Sequence, residues 1–293
     1  MKILKSALDS SVNFVFDSGV ECRFVQRSAE YFIIYVSSHN GCNKACRFCH
    51  LTQTGQTDYK TTFYNQYLDQ VKVVLEYWEN EVKPNMPSPQ KVHVNFMARG
   101  EPLDNPILVR LWGQLSKDMD SMIKKATNVE QVKFKISTIL PKSEFLYQDL
   151  AKNLKKGVPA EIYYSMYSVS EEFRKRWIPN AIHINDSLPI VKSFIDEGLD
   201  VTFHHALIKG HNGTIKDAKA FVAALRLFGI SGVDFNLVRY NPFSSDQGVE
   251  ANDRQIMNYL SVLKDCGLFK EVKMIPRVGF DVSASCGLFT KVS

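Results

Sequence analysis

The feature that most constrains the fold is a regular alternation of short apolar strands with amphipathic helical segments. Apolar runs that predict strands lie at 31–36, 92–97, 132–136, 161–164, 201–207 and 233–238. Helical periodicity separates them, beginning with Tyr64, Leu68 and Val71, and one further helix is predicted at 143–155. Strands that alternate with helices form parallel sheets with right-handed crossovers. Six such units, followed by a further strand near 272–275, predict an α/β fold: a partial (β/α)6 barrel rather than a closed eight-unit barrel.

The first 30 residues are expected to form a short β extension in front of this barrel. Residues 12–25 predict one or two strands, and 27–30 predict a polar hairpin tip. With a plain turn at that tip, Cys22 lies opposite Tyr35 on one face of an antiparallel pair. We therefore expect two units, an N-terminal extension at 1–30 and a barrel with a C-terminal tail at 31–293.

Composition and charge limit the class of protein. The 293 residues are 45% hydrophobic and 23% charged, as in ordinary globular proteins. A net charge of +5 permits a nucleic-acid partner but falls short of a strongly basic binding protein. The N-terminus lacks the apolar core of a signal peptide, and no apolar run of about 18 residues predicts a membrane span. Six cysteines, three of them clustered, do not resemble a disulfide framework. We expect a cytoplasmic protein with no membrane partner.

A cluster of three cysteines follows the first barrel strand. Cys42, Cys46 and Cys49 have the spacing C-x3-C-x2-C. A cubane iron–sulfur cluster is held by four cysteine thiolates, so three thiolates leave one iron open to an outside ligand. A strand followed by such a loop is typical of radical S-adenosylmethionine (SAM) enzymes, in which SAM binds the open iron.

Other interpretations of the same residues stay open on local spacing. The sequence from Cys46 to His50 reads C-x-x-C-H, the pattern of covalent haem attachment. The three cysteines with His50 would also make a Cys3His zinc site, and Cys46 with Cys49 a redox pair. Haem attachment leaves Cys42 unused. Polar residues also follow several predicted strands, at the ends where barrel-like folds carry their chemistry, and this favours the iron–sulfur interpretation.

Several stretches of the chain match one family. They are 36–38, 41–42, 100–103, 136–138, 165 with 178–179, 210, 212, 217–218, 241–243 and 284–287. With them the chain resembles, from about Val20 to Leu288, the radical-SAM adenine methyltransferases of RNA, the RlmN/Cfr type. These enzymes methylate carbon 2 or carbon 8 of an adenine in ribosomal RNA, and the RlmN type also acts on some transfer RNAs. The match around Cys286 is what singles out this branch of the superfamily.

The resemblance implies an activity, its cofactors and its site residues. It implies an enzyme that methylates an adenine ring carbon, with carbon 2 favoured over carbon 8, in ribosomal or transfer RNA through an S-methylcysteine. A [4Fe–4S] cluster, SAM and an electron donor such as flavodoxin or ferredoxin are implied with it. By resemblance, the cluster ligands are Cys42, Cys46 and Cys49, the methyl carrier is Cys286, and SAM is held by Gly100, Glu101, Pro102, Ser137, Ser165 and Asn241.

The chain departs from the family at the residue that releases the product. In the family, RNA becomes bound to the methyl-carrying cysteine, and a second cysteine removes the ring proton and forms a disulfide with the carrier. That second cysteine lies seven residues before the first cluster cysteine, and Tyr35 occupies the position here. A phenol cannot form a disulfide. We therefore expect Tyr35, or Cys22 from the strand predicted to lie opposite, to take part in release.

The family also has a helical accessory domain that helps to hold RNA, whereas only about 20 residues precede the resemblance here. Basic residues of the barrel are therefore expected to hold RNA, with Trp177 as a base-stacking group. These candidates are Lys44, Arg47, Lys60, Arg99, Arg174, Lys175 and Arg176. Two alternatives remain: a radical-SAM enzyme with another nucleic acid or a small molecule as substrate, and a non-catalytic metal-binding module.

Overall fold

The computed structural model describes residues 1–85, 88–142 and 149–291. Ten strands in these residues form one sheet in chain order, antiparallel from the first to the fourth and parallel from the fourth to the tenth. They are β1 (Lys2–Lys5), β2 (Val12–Val15), β3 (Glu21–Ser28), β4 (Tyr31–Tyr35), β5 (Lys91–Phe96), β6 (Gln131–Thr138), β7 (Ala160–Tyr164), β8 (Val201–Ala206), β9 (Val233–Val238) and β10 (Phe269–Ile275).

Helices connect the parallel strands. They are α1 (His50–Gln53), α2 (Tyr64–Tyr77), α3 (Pro106–Thr127), α4 (Leu150–Leu154), α5 (Glu171–Trp177), α6 (Ile184–Asp196), α7 (Ile215–Leu227) and α8 (Asp253–Asp265). The predicted α/β fold with six strand–helix units and a seventh strand is confirmed. Within the described residues no pairing joins β10 to β1, so the sheet is an open partial barrel. None of the described helices has the length and apolar character that crossing a bilayer would require.

Three predicted features extend beyond the described residues. Residues 143–148 of the predicted helix at 143–155 lie outside them, and the remainder of that prediction contains α4. Residues 86–87 of the proline-rich loop after α2 also lie outside them, as do 292–293 at the end of the chain. The division into 1–30 and 31–293 falls in the turn between β3 and β4, and the three strands before it extend the same sheet. That division stays a prediction.

Helix α3 begins in a way that fixes two loops at the carboxyl ends of the strands. The Asn105 side-chain oxygen accepts hydrogen bonds from the N–H groups of Ile107 and Leu108 at 2.9 and 3.1 Å, as an N-cap residue does. Pro106 follows at the first helical position, where its missing N–H costs nothing. The Asn105 amide also donates to the carbonyl oxygen of Ser38 at 2.8 Å. This residue therefore joins the loop after β4 to the loop after β5.

The two faces of the barrel strands have different environments. Ile34, Val94 and Phe134 are adjacent in register and fully buried in the main hydrophobic core. The ring of Phe96 lies 5.6 Å from that of Trp112 on α3, which shows that this face packs against the helices. Alternate residues of a strand point to opposite faces. The residues between these apolar ones consequently face the centre of the barrel.

The pairing of β3 with β4 differs from the prediction by one residue. Arg23, not Cys22, lies opposite Tyr35, because the turn is shorter than predicted, with Ser28 opposite Tyr31, and an extra residue at Arg27 then shifts the register by one. A shift of one residue moves a side chain to the other face of the sheet. The predicted pairing of Cys22 with Tyr35 is therefore wrong. Cys22 instead lies opposite Phe14 of β2 and is fully buried in the hydrophobic core.

Candidate active site

A cavity of about 580 Å³ occupies the centre of the barrel and the space above the carboxyl ends of its strands. Its walls contain every residue that the sequence predicts to bind the cluster or SAM, together with Tyr35 and the predicted methyl carrier. These residues are Tyr35, Cys42, Cys46, Cys49, Gly100, Glu101, Pro102, Ser137, Ser165, Asn241 and Cys286. Cys22 is absent from the wall, because it lies on the other face of β3. The fold thus gathers residues that are up to 251 positions apart in the sequence, from Tyr35 to Cys286.

The cysteine loop is compact and held by its own backbone. The N–H of Cys42 donates to the carbonyl oxygen of Gln56 at 3.1 Å, and that of Cys49 to Cys46 at 3.0 Å. Gly41 has no room for a side chain, because a Cβ there would clash with the carbonyl oxygens of Gln56 and Asp58. The loop therefore holds the three thiols at one end of the cavity.

The three thiols are buried, and burial disfavours their ionised form unless a metal binds. Burial raises the pKa of Cys42 to about 12 and that of Cys49 to about 11, and it raises the pKa of Cys46 well above its usual value. A coordinated metal deprotonates such thiols outright. Among the described residues, no three Cys, His, Asp or Glu side chains converge on a single-ion site. Three thiols gathered at one end of the cavity fit a multi-iron cluster in which each cysteine binds its own iron.

Glu101 supplies a buried carboxyl group next to the thiols. It accepts hydrogen bonds from the N–H groups of Leu103 at 3.3 Å and Ile139 at 3.1 Å. Burial raises its pKa to about 7, although those hydrogen bonds act in the opposite direction. A dehydrated carboxyl group of this kind is stabilised by a cationic partner. The ammonium group of SAM would be such a partner, so Glu101 fits its predicted role.

Gly100 fixes the approach of the Glu101 loop to the loop after β4. Its φ of +93° lies in the left-handed region, which glycine adopts without strain. A Cβ at this position would lie 2.5 Å from Ser38 Oγ and 2.6 Å from His39 Nδ1. Only glycine allows the two loops to approach this closely.

The C-terminal tail enters the cavity and is held through its backbone carbonyl groups. The Asn241 amide donates to the carbonyl oxygen of Cys286 at 2.9 Å, and the N–H of His50 donates to that of Gly287 at 3.0 Å. Further along, Arg23 donates to Leu288 at 2.8 Å. The Asn241 side-chain oxygen is buried and has no hydrogen-bond partner in the structure, so it remains available to a ligand.

A buried group of three charges, which we call the Glu21 triad, anchors the end of this tail. The Glu21 carboxylate lies 2.6 Å from an Arg99 nitrogen and 3.1 Å from an Arg23 nitrogen, and these three side chains are at most 2% exposed. The same Arg99 nitrogen donates to the carbonyl oxygen of Thr290 at 2.6 Å. Burial raises the pKa of Glu21, but Arg23 and Arg99 outweigh that effect, so the pKa lies below its usual value. The sequence did not reveal the triad, because Glu21 and Arg99 are 78 positions apart and the three residues form no motif.

Comparison with known proteins places this site in a family. The chain matches the family model of the radical SAM superfamily over residues 36–222. The chain belongs to the radical SAM superfamily. Membership implies SAM and a [4Fe–4S] cluster as cofactors, and the three cysteines and Glu101 described above fit both.

The relatives of this radical SAM protein are of the RlmN/Cfr type, as predicted. It is 29% identical to the dual-specificity RNA methyltransferase RlmN of Campylobacter fetus, over 90% of this chain and 68% of that protein. It is 27% identical to a probable RlmN of Clostridium botulinum, over 98% of this chain and 77% of that protein. A radical SAM methyltransferase from Sphaerobacter thermophilus shares the fold, with a TM-score of 0.75, 17% identity and coverage of 98% and 80%. The chain thus spans about two thirds to four fifths of these proteins.

Three of the basic residues predicted to hold RNA are internal in this radical SAM protein. Arg99 belongs to the Glu21 triad, and Lys44 is buried in an ion pair with Asp104. Arg174 is buried and donates to backbone carbonyl groups at 2.7 to 3.4 Å. Trp177, the predicted base-stacking group, is 1% exposed. The predictions for Arg99, Arg174 and Trp177 are wrong, because these side chains are buried and lie outside the cavity wall, where neither a phosphate nor a base would contact them. Lys44 lines the cavity, so its contact with RNA stays a prediction.

The other four basic candidates remain accessible. Arg47 is half-buried, with its guanidinium carbon 5.7 Å from the centre of the Trp177 ring. Lys60, Lys175 and Arg176 are exposed, and Lys175 lies 3.3 Å from a carboxylate oxygen of Glu171. The accessible basic surface near the cavity is therefore smaller than the sequence predicts.

Proposed function

We propose that this radical SAM protein methylates an adenine ring carbon, carbon 2 in preference to carbon 8, in ribosomal or transfer RNA through an S-methylated Cys286. The observation that carries the proposal is the position of Cys286, whose side chain faces the same cavity as the three clustered cysteines and Glu101. The names of the RlmN relatives support the RNA substrate.

In this proposal the residues predicted to bind the cluster and SAM have specific roles. Cys42, Cys46 and Cys49 would ligate the [4Fe–4S] cluster, which supplies the electron that cleaves SAM. Glu101 would accept a hydrogen bond from the SAM ammonium group. Gly100 and Pro102 would shape the loop beside it, and Ser137, Ser165 and the unpartnered oxygen of Asn241 would hold the rest of the molecule.

Cys286 is suited to carry a methyl group. A thiolate can attack a sulfonium methyl, whereas an adenine carbon is too weak a nucleophile. Burial raises the pKa of Cys286, and the charges of Arg23 and Arg27 act in the opposite direction by favouring the thiolate. The hydrogen bond from Asn241 to the Cys286 carbonyl group fixes the backbone without engaging the sulfur. The sulfur therefore stays free to react.

Release of the product would follow a different course from that of the family. Cys22 is buried in the hydrophobic core, so we do not assign it a role. Tyr35 lies in the cavity wall, and its hydroxyl group accepts a hydrogen bond from Arg27 at 3.4 Å. We propose that Tyr35 holds the adenine beside Cys286 during release. Because a neutral phenol accepts no proton and forms no disulfide, an external thiolate would attack the Cys286 sulfur, form a mixed disulfide with it and leave the electron pair on the transferred carbon, which then takes a proton.

We also propose the setting in which the enzyme works. It would be cytoplasmic, and a small electron carrier such as flavodoxin or ferredoxin would reduce its cluster. Residues 1–30 would act as an extension of the barrel unit at 31–293. A second candidate function, the same chemistry on another nucleic acid or a small molecule, is favoured by the burial of Arg99 and Arg174 away from the cavity wall.

The test is mass spectrometry of the protein purified after anaerobic expression with an iron–sulfur supply. We expect a methyl group on the Cys286 peptide and none on the Cys266 peptide, because Cys266 lies outside the cavity wall. RNA from cells with and without the chain would then be digested and compared for methyladenosine isomers. An unmodified Cys286 in protein that cleaves SAM would refute the carrier role. A modified Cys286 without any methyladenosine would support the second candidate function.

A further inference from the structure

The cavity extends beyond the candidate active site toward the amino ends of β4, β5 and β6. Four cationic side chains line this lower part: Arg27 of β3, Lys91 of β5, and Lys133 and Lys135 of β6. They surround His93, which also lines the cavity. The proposed methylation uses Arg27 through its charge and its hydrogen bond to Tyr35, and it assigns no role to the other four residues.

His93 lies beside these cations, since it pairs in register with Lys133 and follows Lys91 by two residues on the same face of β5. Its pKa is lowered to about 3, first by burial and then by the charges of Lys135, Lys91, Lys133 and Arg27. Its side chain is therefore neutral at physiological pH. His93 is 9% exposed, and its Nε2 atom has no hydrogen-bond partner in the structure. A buried polar atom without a partner costs free energy, which a bound ligand would recover.

Carboxylates in this region only partly balance the cations. Glu161 lies 2.9 Å from the Lys133 nitrogen and 3.6 Å from that of Lys135, and Asp200 also attracts Lys133. Neither Arg27 nor Lys91 has an ion pair with a carboxylate in the described part of the chain. Asp234, Glu271 and Lys273 line the same cavity, and Lys273 pairs with Glu271 at 2.5 Å. Five cations therefore face four carboxylates, and Arg27 and Lys91 stand apart from the ion pairs.

The groups next to the two remaining cations are aromatic and uncharged. The Arg27 guanidinium donates to the Tyr35 hydroxyl at 3.4 Å, and the Lys91 nitrogen lies 5.6 Å from the centre of the Tyr31 ring. The Tyr31 ring stacks on His93 at 4.8 Å. These contacts hold the side chains in place while leaving their charge unneutralised.

We propose that Arg27, Lys91, Lys133 and Lys135, with His93, form an anion site that binds a phosphate group. Arg27 donates to Tyr35, and both line the cavity together with Cys286, so the site adjoins the candidate active site. Asn95 of β5 pairs with Tyr35, and Lys91 lies four residues earlier in the same strand. At the rise of a β-strand, the backbone distance from Lys91 to Asn95 is about 13 Å. A nucleotide whose base faces Cys286 would reach these cations with its phosphate.

The phosphate has two chemically equivalent sources, a free nucleotide and the end of an RNA strand. Binding is the direct test, and it does not require methylation to occur. Calorimetry on the anaerobic protein with its cluster would compare adenosine 5′-monophosphate with uncharged adenosine. We expect the monophosphate to bind at least about tenfold more tightly, as one charge-assisted contact would give.

Substitution of Lys91 then assigns the effect to this site. Lys91→Gln should lower the affinity for adenosine 5′-monophosphate about tenfold and leave that for adenosine unchanged, while Lys91→Arg, which keeps the charge, should retain most of it. The control is Lys117→Gln, an exposed lysine of α3 outside the cavity. A 5′-phosphorylated oligonucleotide that displaces the monophosphate would identify RNA as the source, and failure to displace it would identify a small ligand.

Two results would overturn the anion site. One is equal affinity for adenosine and its monophosphate in the unsubstituted protein. The other is an equal loss of monophosphate affinity in Lys91→Gln and Lys117→Gln, which would mean that general charge rather than the cavity attracts the ligand. Absence of methylation would contradict the proposed function alone and leave these binding measurements valid.

Discussion

Replacing Glu21 with glutamine should strongly destabilise the fold, because it removes the one negative charge of the Glu21 triad. Arg23 and Arg99 would remain buried, each at most 2% exposed, without a charged partner. Breaking a buried ion pair by removing one partner costs about 3–5 kcal/mol. We expect a loss of that size in the free energy of unfolding, measured by urea denaturation at pH 7 under anaerobic conditions.

The pH dependence of the same measurement gives a second readout. The pKa of Glu21 is lowered in the folded protein, so its stabilising effect is complete above the unfolded value of about 4.3 and is lost as the pH falls through the folded value. Glu21→Gln should therefore lose less stability than the unsubstituted protein when the pH is lowered below about 4.

A control separates this effect from general loss of surface charge. Glu171 is an exposed carboxylate that pairs with Lys175 at 3.3 Å, and Glu171→Gln should leave the unfolding curve at pH 7 unchanged. If Glu21→Gln unfolded within about 1 kcal/mol of the unsubstituted protein, the triad would not hold the tail as described.

Three further substitutions test individual residues. Cys22→Ala should lower the free energy of unfolding by about 1 kcal/mol, because a buried sulfur is lost, and it should leave the release rate of methylated RNA unchanged. Slower release would show that Cys22 takes part in the release step. Gly100→Ala should destabilise the fold by roughly 2 kcal/mol or more, through left-handed backbone strain and the clash with Ser38. Gly210 has a φ of +77° and open space around it, so Gly210→Ala should cost only the backbone strain. Equal losses of stability in the two variants would contradict the close approach of the loops. Tyr35→Cys should increase the yield of released methylated RNA by restoring a thiol to the cavity wall, and a lower yield would show that the phenol itself is required.

The sequence predicted the fold and the upper part of the cavity well, for a physical reason. Parallel strands bring their carboxyl ends to one edge, so residues after strands such as Glu101, Ser165 and Asn241 must gather there. The three cysteines needed only local spacing. Both predictions stay correct when the bounds of a strand or helix are misplaced by one or two residues.

The same reasoning could not predict the cationic lower part of the cavity or the register in which β3 pairs with β4. The pairing of Cys22 depended on the turn type, and one extra residue at Arg27 reversed every side chain before it. A basic residue in a sequence also gives no sign of its burial. Arg99 and Arg174 differ from surface arginines only through the backbone carbonyls and the carboxylate that surround them.

The tail that carries Cys286 is gripped by its carbonyl oxygens, at Cys286, Gly287, Leu288 and Thr290. Every amino acid has that oxygen, so the contact at position 286 does not depend on the side chain there, whereas Thr290 also donates its hydroxyl group to Glu21. The backbone at position 286 therefore keeps its path when the side chain there is changed. A selenocysteine or an unnatural thiol installed there would be presented from the same backbone path, which makes this tail a convenient place to insert chemical reporters.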